Sequence, residues 1–174
     1  MASTISGVPG NDVIIVDESD AGKIDVVELP NADATEIAIN SPINGLELGL
    51  SGEKDVAIAG ARLKNAKFSN EAPKGETVNV TLAVTKAANL EFTTTGKAAT
   101  ELSVAEGKFL NSSIATAKGK AEDSISFGAS STIKGASISL GKGSDTLTFS
   151  GRMKGKTTVE SGKGRDLIEV NSKD

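Results

Sequence analysis

The chain contains no cysteine, histidine, tryptophan or tyrosine, and only 5 phenylalanines and 4 prolines in 174 residues. Without cysteine there is no disulfide framework and no thiolate metal site, and the redox compartment leaves no mark on the sequence. Without histidine the commonest acid–base group of catalysis is missing. Without Trp and Tyr the usual stacking platforms for sugars and bases are missing too. No apolar run approaches the roughly 20 residues needed to span a bilayer, so no membrane partner is expected. Residues Met1 to Gly7 show neither a basic region nor an apolar core. That argues against a cleavable signal and leads to the expectation of a soluble protein made in a cytoplasm.

What is present is small and β-compatible. Nineteen glycines accompany Val, Ile, Thr, Ser and Ala, a profile suited to a thin core of stacked, near-identical layers. Length alone indicates one domain. The net charge of −4 is unevenly spread. Residues 1–50 hold nine acids, from Asp12 to Glu47, against Lys23 alone, a net of −8. The remaining 14 acids and 18 bases leave residues 51–174 at +4. Such asymmetry fits either solvated turns or a polar rod whose two ends meet different partners. No nucleic-acid partner is expected, because the basic part lacks stacking aromatics and a dense Lys/Arg stripe.

A repeat dominates the pattern. Gly141-Lys142-Gly143-Ser144-Asp145-Thr146-Leu147-Thr148-Phe149 returns as Gly162-Lys163-Gly164-Arg165-Asp166-Leu167-Ile168-Glu169-Val170. Traced backwards through apolar residues two apart, the series reads Ile14/Val16, Ile37/Ile39, Val56/Ile58, Val78/Val80, Leu102/Val104, Ile125/Phe127, Leu147/Phe149 and Ile168/Val170, with spacings of 23, 19, 22, 24, 23, 22 and 21. Period-two alternation puts both members of each pair on one face of a strand. About ten residues later comes a second apolar group, among them Ile24/Val26, Leu46/Leu48, Phe68, Leu90/Phe92, Ile114, Ile138/Leu140 and Val159. Between the two groups lies one further apolar residue: Ile43, Leu63, Val84, Leu110, Ile133 or Met153. Residues 61–70 are the best helical candidate, although they also divide into two five-residue units centred on Leu63 and Phe68.

A unit of about 22 residues with two or three short strands is one turn of a parallel β-helix, in which each coil buries its apolar face against the next. The expectation is an all-β, single-stranded parallel solenoid of about eight coils, right-handed by the crossover rule, and roughly 35–40 Å long at the spacing between neighbouring strands. The solenoid is assigned to residues 8–170, with 1–7 a lead or cap and 171–174 a tail. An antiparallel sandwich would explain the density of strands but not their fixed recurrence. A rod has two open ends. Val13 and Ile15 near the first, and Leu167 near the last, occupy outward positions where other coils place polar residues. They are the candidate interface residues, for a protein partner or a second copy.

The segments Gly143-Ser144-Asp145-Thr146-Leu147 and Gly164-Arg165-Asp166-Leu167-Ile168 resemble the second half of the RTX calcium nonapeptide, and Asn11-Asp12-Val13-Ile14 and residues 119–125 resemble degenerate copies. The resemblance covers about a third of the chain and implies Ca²⁺ at Asp145 and Asp166, since stacked loops of that family share the ion between carbonyls and carboxylates. The period departs from the family's nine residues, and the leading Gly-Gly is missing. Lys97, Lys120, Lys142 and Lys163 also recur at one loop position. A lysine column there neutralises an aspartate column (Asp123, Asp145, Asp166) without metal, so no cofactor is the expectation and calcium the alternative.

No catalytic residue stands out, although a carboxylate pair from the aspartate column remains open. Flat threonine arrays suit ice, but the outward positions here mix Thr77, Asn79, Glu101, Ser103, Ser124, Ser126, Thr146 and Thr148. In composition and size the chain resembles the small solenoid decoration proteins of tailed-phage capsids. That resemblance implies a non-enzymatic rod on the virion surface with a capsid protein as partner; a second copy of the chain, docked through one end of the solenoid, is the other expectation. The alternatives are an RTX-like adhesin module at a cell surface and a polysaccharide-active β-helix enzyme.

Overall fold

The computed structural model describes residues 4–6, 12–16, 26–28, 35–40, 42–51, 55–72, 74–116 and 120–172, and side chains within these from Glu36 onward except at 50–51 and 71–72. The described residues form eighteen strands and no helix. In chain order these are β1 (Thr4–Ser6), β2 (Asp12–Val16), β3 (Val26–Glu28), β4 (Thr35–Ile39), β5 (Ile43–Asn44), β6 (Glu47–Ser51), β7 (Asp55–Lys64), β8 (Lys67–Ala72) and β9 (Thr77–Ala88). They continue as β10 (Glu91–Gly96), β11 (Ala99–Leu110), β12 (Ser113–Ala115), β13 (Ser124–Lys134), β14 (Ser137–Ser139), β15 (Thr146–Phe149), β16 (Arg152–Lys154), β17 (Thr158–Glu160) and β18 (Leu167–Val170).

All pairings are parallel and link strands one coil apart. One face stacks β2, β4, β7, β9, β11, β13, β15 and β18; β5 and β16 extend it beside β7 and β13. The other face stacks β6, β8, β10, β12, β14 and β17, while β1 pairs with β3 in a small separate sheet. The fold is therefore a parallel β-solenoid. The expected eight coils are corrected to about six complete turns. Among the described residues, eight is the number of rungs on the long face alone, and six of them have a partner strand in the six-stranded sheet. Residues 61–70 are not helical but belong to β7 and β8, with Leu63 and Phe68 both buried.

Four inward columns fill the rod. On the long face Val56, Val80, Leu102, Ile125, Leu147 and Ile168 stack in register, beside Ile37, Ile58, Leu82, Val104, Phe127, Phe149 and Val170. Further along come Ile43, Leu63, Ala87, Phe109, Ile133 and Met153. On the short face Leu48, Phe68, Phe92, Ile114, Ile138 and Val159 stack. All 5 phenylalanines are buried, and the Phe127 and Phe149 rings sit 5.4 Å apart at 48°, within the range of favourable aromatic pairs.

Two details of the expected alignment change. Ile37 rests on Ile58 rather than Val56, and Val80/Leu82 rather than Val78/Val80 face Leu102/Val104. The corrected series 14, 37, 58, 82, 104, 127, 149, 170 has spacings of 21 to 24. A two-residue slip keeps the same side chains inside, so burial pattern alone does not distinguish the registers. Ala87 and Phe109, not Val84 and Leu110, belong to the intermediate column. The alternation in β11 breaks at Glu106 and Gly107, where the ladder register shifts.

The corner between the faces obeys a rule of its own. Gly45, Asn65, Asn89, Asn111, Gly135 and Gly155 occupy it in successive coils, all with φ between 49° and 85°. Only Gly and Asn adopt this left-handed region readily. The asparagines add a ladder: Asn89 Nδ2 donates to Asn65 Oδ1 at 2.8 Å, and Asn65 Nδ2 donates to Asn44 Oδ1 at 2.9 Å. Asn89→Ala is therefore expected to lower stability by about 1–2 kcal/mol, and Asn89→Gly by less, since glycine loses the amide bonds but not the backbone fit. Urea unfolding of the two variants checks this; equal losses would assign the cost to the amide ladder alone.

Candidate functional site

The Gly-x-Gly-x-Asp loops form the corner that leads into the long face. Their glycines are required by close stacking. A Cβ on Gly143 (φ 153°) would lie 2.0 Å from the Ala121 carbonyl oxygen, and one on Gly164 (φ 147°) would lie 1.4 Å from that of Gly143. The loop backbones pair directly. Lys142 bridges Lys163, Gly143 N–H donates to the Lys163 carbonyl at 2.9 Å, and Lys163 N–H donates to that of Gly141 at 3.2 Å.

The aspartates form a column that reaches backwards along the rod. Asp166 Oδ1 accepts the backbone N–H of Asp145 at 3.1 Å. Asp145 Oδ1 accepts that of Asp123 at 2.9 Å, and Asp123 Oδ1 accepts that of Thr100 at 2.9 Å. Each carboxylate thus supplies the acceptor for an N–H that the bend of the loop takes out of the ladder. Around the column lie buried Thr94, Thr100 and Thr116; the first two share a hydroxyl contact of 3.1 Å, and Thr116 donates to the Leu140 carbonyl at 2.9 Å.

Asp123 and Asp145 are almost fully buried, 2% and 1% exposed, and the second oxygen of each has no hydrogen-bond partner. Burial pushes the Asp123 carboxyl above the ordinary carboxylate range, with the Asp145 charge adding to the rise and contacts with Thr116 and Thr100 opposing it. Burial likewise pushes Asp145 up, reinforced by Asp166 and Glu122 and opposed by the Asp123 N–H. Lysine compensation of this column, expected from the sequence, is not made. Lys97, Lys120, Lys142 and Lys163 are all exposed, and none forms an ion pair among the described residues.

Asp145 and Asp166, the residues for which the RTX resemblance implied calcium, are adjacent rungs of this column. Their Oδ1 atoms serve backbone N–H groups, and so do the loop carbonyls of Gly141 and Lys163. Calcium takes 6–8 oxygens, and no group of three or more acidic side chains able to hold a metal occurs among the described residues.

The candidate interface residues lie at the rod's ends. Leu167 is 51% exposed, and the columns end in uncovered side chains: Ile168 is 46% exposed, Val170 55% and Met153 37%. Val13 and Ile15 lie on β2, the strand at the opposite edge of the sheet, but their side chains fall outside the described residues. The sequence reading missed the left-handed corner, although the Asn/Gly choice just before the second apolar group signals it. It also missed the inward turn of the aspartates, for which adjacent polar Thr100 and Thr116 were the only sign. No family model, curated protein or solved structure matches the chain.

Two outcomes follow from the aspartate column. A carboxyl whose folded pKa is raised contributes its stability fully below the unfolded value and loses it as pH rises through the folded one. Asp145→Asn keeps the acceptor for the Asp123 N–H and removes the charge. Its stability relative to the native chain should therefore improve between about pH 4 and about pH 7; parallel urea midpoints at both would refute the burial argument. Added Ca²⁺ should produce neither heat in calorimetry nor a rise in Tm, and a saturable heat abolished by Asp145→Asn would reverse that reading.

Proposed function

We propose that the chain is a non-enzymatic structural and binding protein, a rigid solenoid rod displayed on a larger assembly such as the surface of a tailed-phage capsid. The observation that carries this reading is the uncovered last coil. Leu167, Ile168 and Val170 are about half exposed on β18, whose outer edge has no strand beside it among the described residues. An open parallel edge flanked by apolar side chains is a template for strand addition, in which main-chain bonds supply affinity and side-chain pockets supply choice. The last coil also carries the exposed basic residues Arg152, Lys154, Lys156, Lys163 and Arg165, the polar character expected of an interface rim.

The chemistry of the rest supports the same reading. The aspartates that suggested a carboxylate pair are spent on loop N–H groups inside the rod. Every coil rests on its neighbours, which gives a stiff spacer rather than a moving catalytic device. The partner is a protein of the assembly, a capsid protein on this reading; a second copy of the chain is the other occupant of the same edge. An RTX-like adhesin would share the rod but needs calcium, for which the loops are poorly equipped.

The variant Ile168→Lys/Val170→Lys places two charges on the open end. It should keep the native Tm within a few degrees, because both side chains are half exposed. It should also lose co-sedimentation with tailed-phage capsids. Undiminished co-sedimentation of the variant would rule out this end as the attachment surface, and concentration-dependent self-association of the native chain alone would favour a second copy.

A further inference from the structure

The failure of the lysines to pair with the aspartate column leaves an unexplained cost. Lys97, Lys120, Lys142 and Lys163 each lie four residues before register-equivalent positions of the long face, Glu101, Ser124, Thr146 and Leu167. Lys142 and Lys163 are directly bridged in a parallel ladder. Like charges on adjacent rungs repel, and the column repeats them over four coils with no carboxylate paired to any of them among the described residues. Loop solubility alone is satisfied equally well by Ser, Asn or alternating signs.

Three of these lysines, Lys97, Lys120 and Lys142, line a groove on the rod. A groove of about 750 Å³ runs along this corner between Lys74, Lys97, Lys120 and Lys142, with Glu76, Thr77 and Glu122 beside them. It follows the rod axis and crosses successive coils, so its positive charges arrive at the strand spacing, about 4.8 Å per coil. A linear ligand lying along the axis therefore meets one ammonium per coil.

We propose that this groove binds an acidic polysaccharide, an extended chain whose carboxylates or sulfates are separated by neutral, hydroxyl-bearing rings. The alternative polyanion, a nucleic acid, fits less well. Single-strand binding relies on aromatic stacking platforms, and all 5 phenylalanines are inside the rod; a sugar chain here lacks such platforms too and is held by charge and hydroxyl hydrogen bonds instead. Glu122, exposed within the lysine row, opposes a dense line of phosphates. The same carboxylate accepts hydrogen bonds from sugar hydroxyls, and Thr77 both donates and accepts. Alternating lysines with hydroxyl-recognising groups match a polymer that alternates charge with hydroxyls. Binding rests on exposed charges, so it is salt-sensitive and draws affinity from many weak contacts along one polymer.

Calorimetry and gel-retardation with polygalacturonate, dextran sulfate, neutral dextran and an oligothymidylate test this. Both acidic glycans should bind at low salt and be released by about 0.5 M salt, with neutral dextran inert. The triple variant Lys97→Gln/Lys120→Gln/Lys142→Gln should bind them roughly tenfold more weakly or worse. Lys134→Gln/Lys154→Gln, which alters the register-paired lysines of β13 and β16, should bind like the native chain. Melting curves verify folding, and if the triple variant does not melt cooperatively, Lys120→Gln alone should weaken binding roughly twofold. The proposal is overturned if neither acidic glycan binds, if the lysine variants bind as tightly as the native chain, or if the oligothymidylate binds more tightly than both glycans.

Discussion

Everything in this molecule depends on coil-on-coil registration. In a parallel ladder each residue's spatial neighbours are the residues one coil before and one coil after, about 4.8 Å away. A column of side chains is buried only if the equivalent position of both adjacent coils is apolar. The columns through Val56 and Ile37 meet that requirement along the rod, which is why a 174-residue chain needs no large aromatic cluster. Stability is then close to a sum of neighbour contacts. An interior rung has two stacking partners and a terminal rung one, so Ile168 and Val170, chemically ordinary members of their columns, are left half exposed.

The same constraint governs the polar groups. A loop that bends out of the ladder strands a backbone N–H, and buried donors left unpaired are costly. At one corner the chain answers with left-handed Gly or Asn and an amide ladder. At the other it answers with aspartates that accept from the preceding coil, at the cost of burying Asp123 and Asp145. This is a structural use of the glycine-aspartate loop. With the carboxylates turned inward, the lysines of the same loops are left with a positive groove outside. The rod thus offers two surfaces of different character, an apolar open edge at one end and a basic channel along one corner.

Much of the architecture was legible in the chain. The apolar pairs at spacings near 22 indicated parallel coils, and the second apolar group at Leu48, Phe68, Phe92 and Ile114 indicated the second face. Register was legible only to within two residues, because Val78/Val80 and Val80/Leu82 present the same face. The pairing of lysine with aspartate could not be read from their shared loops. Spacing places both in one corner but does not say which side chain turns inward, and the stranded N–H groups decide that. Open ends were foreseeable from any finite stack, and which residues they expose followed from where the last strand falls.

By itself, then, the sequence determined the fold class, the coil length and the residues that fill the core. These follow from periodicity and side-chain size, which are local properties. Only the tertiary structure decided the register of each rung, the inward direction of Asp123 and Asp145, the freedom of Lys97, Lys120 and Lys142, and the number of complete turns. Each of these depends on what a residue meets one coil away, and that neighbour is known only once the coils are stacked.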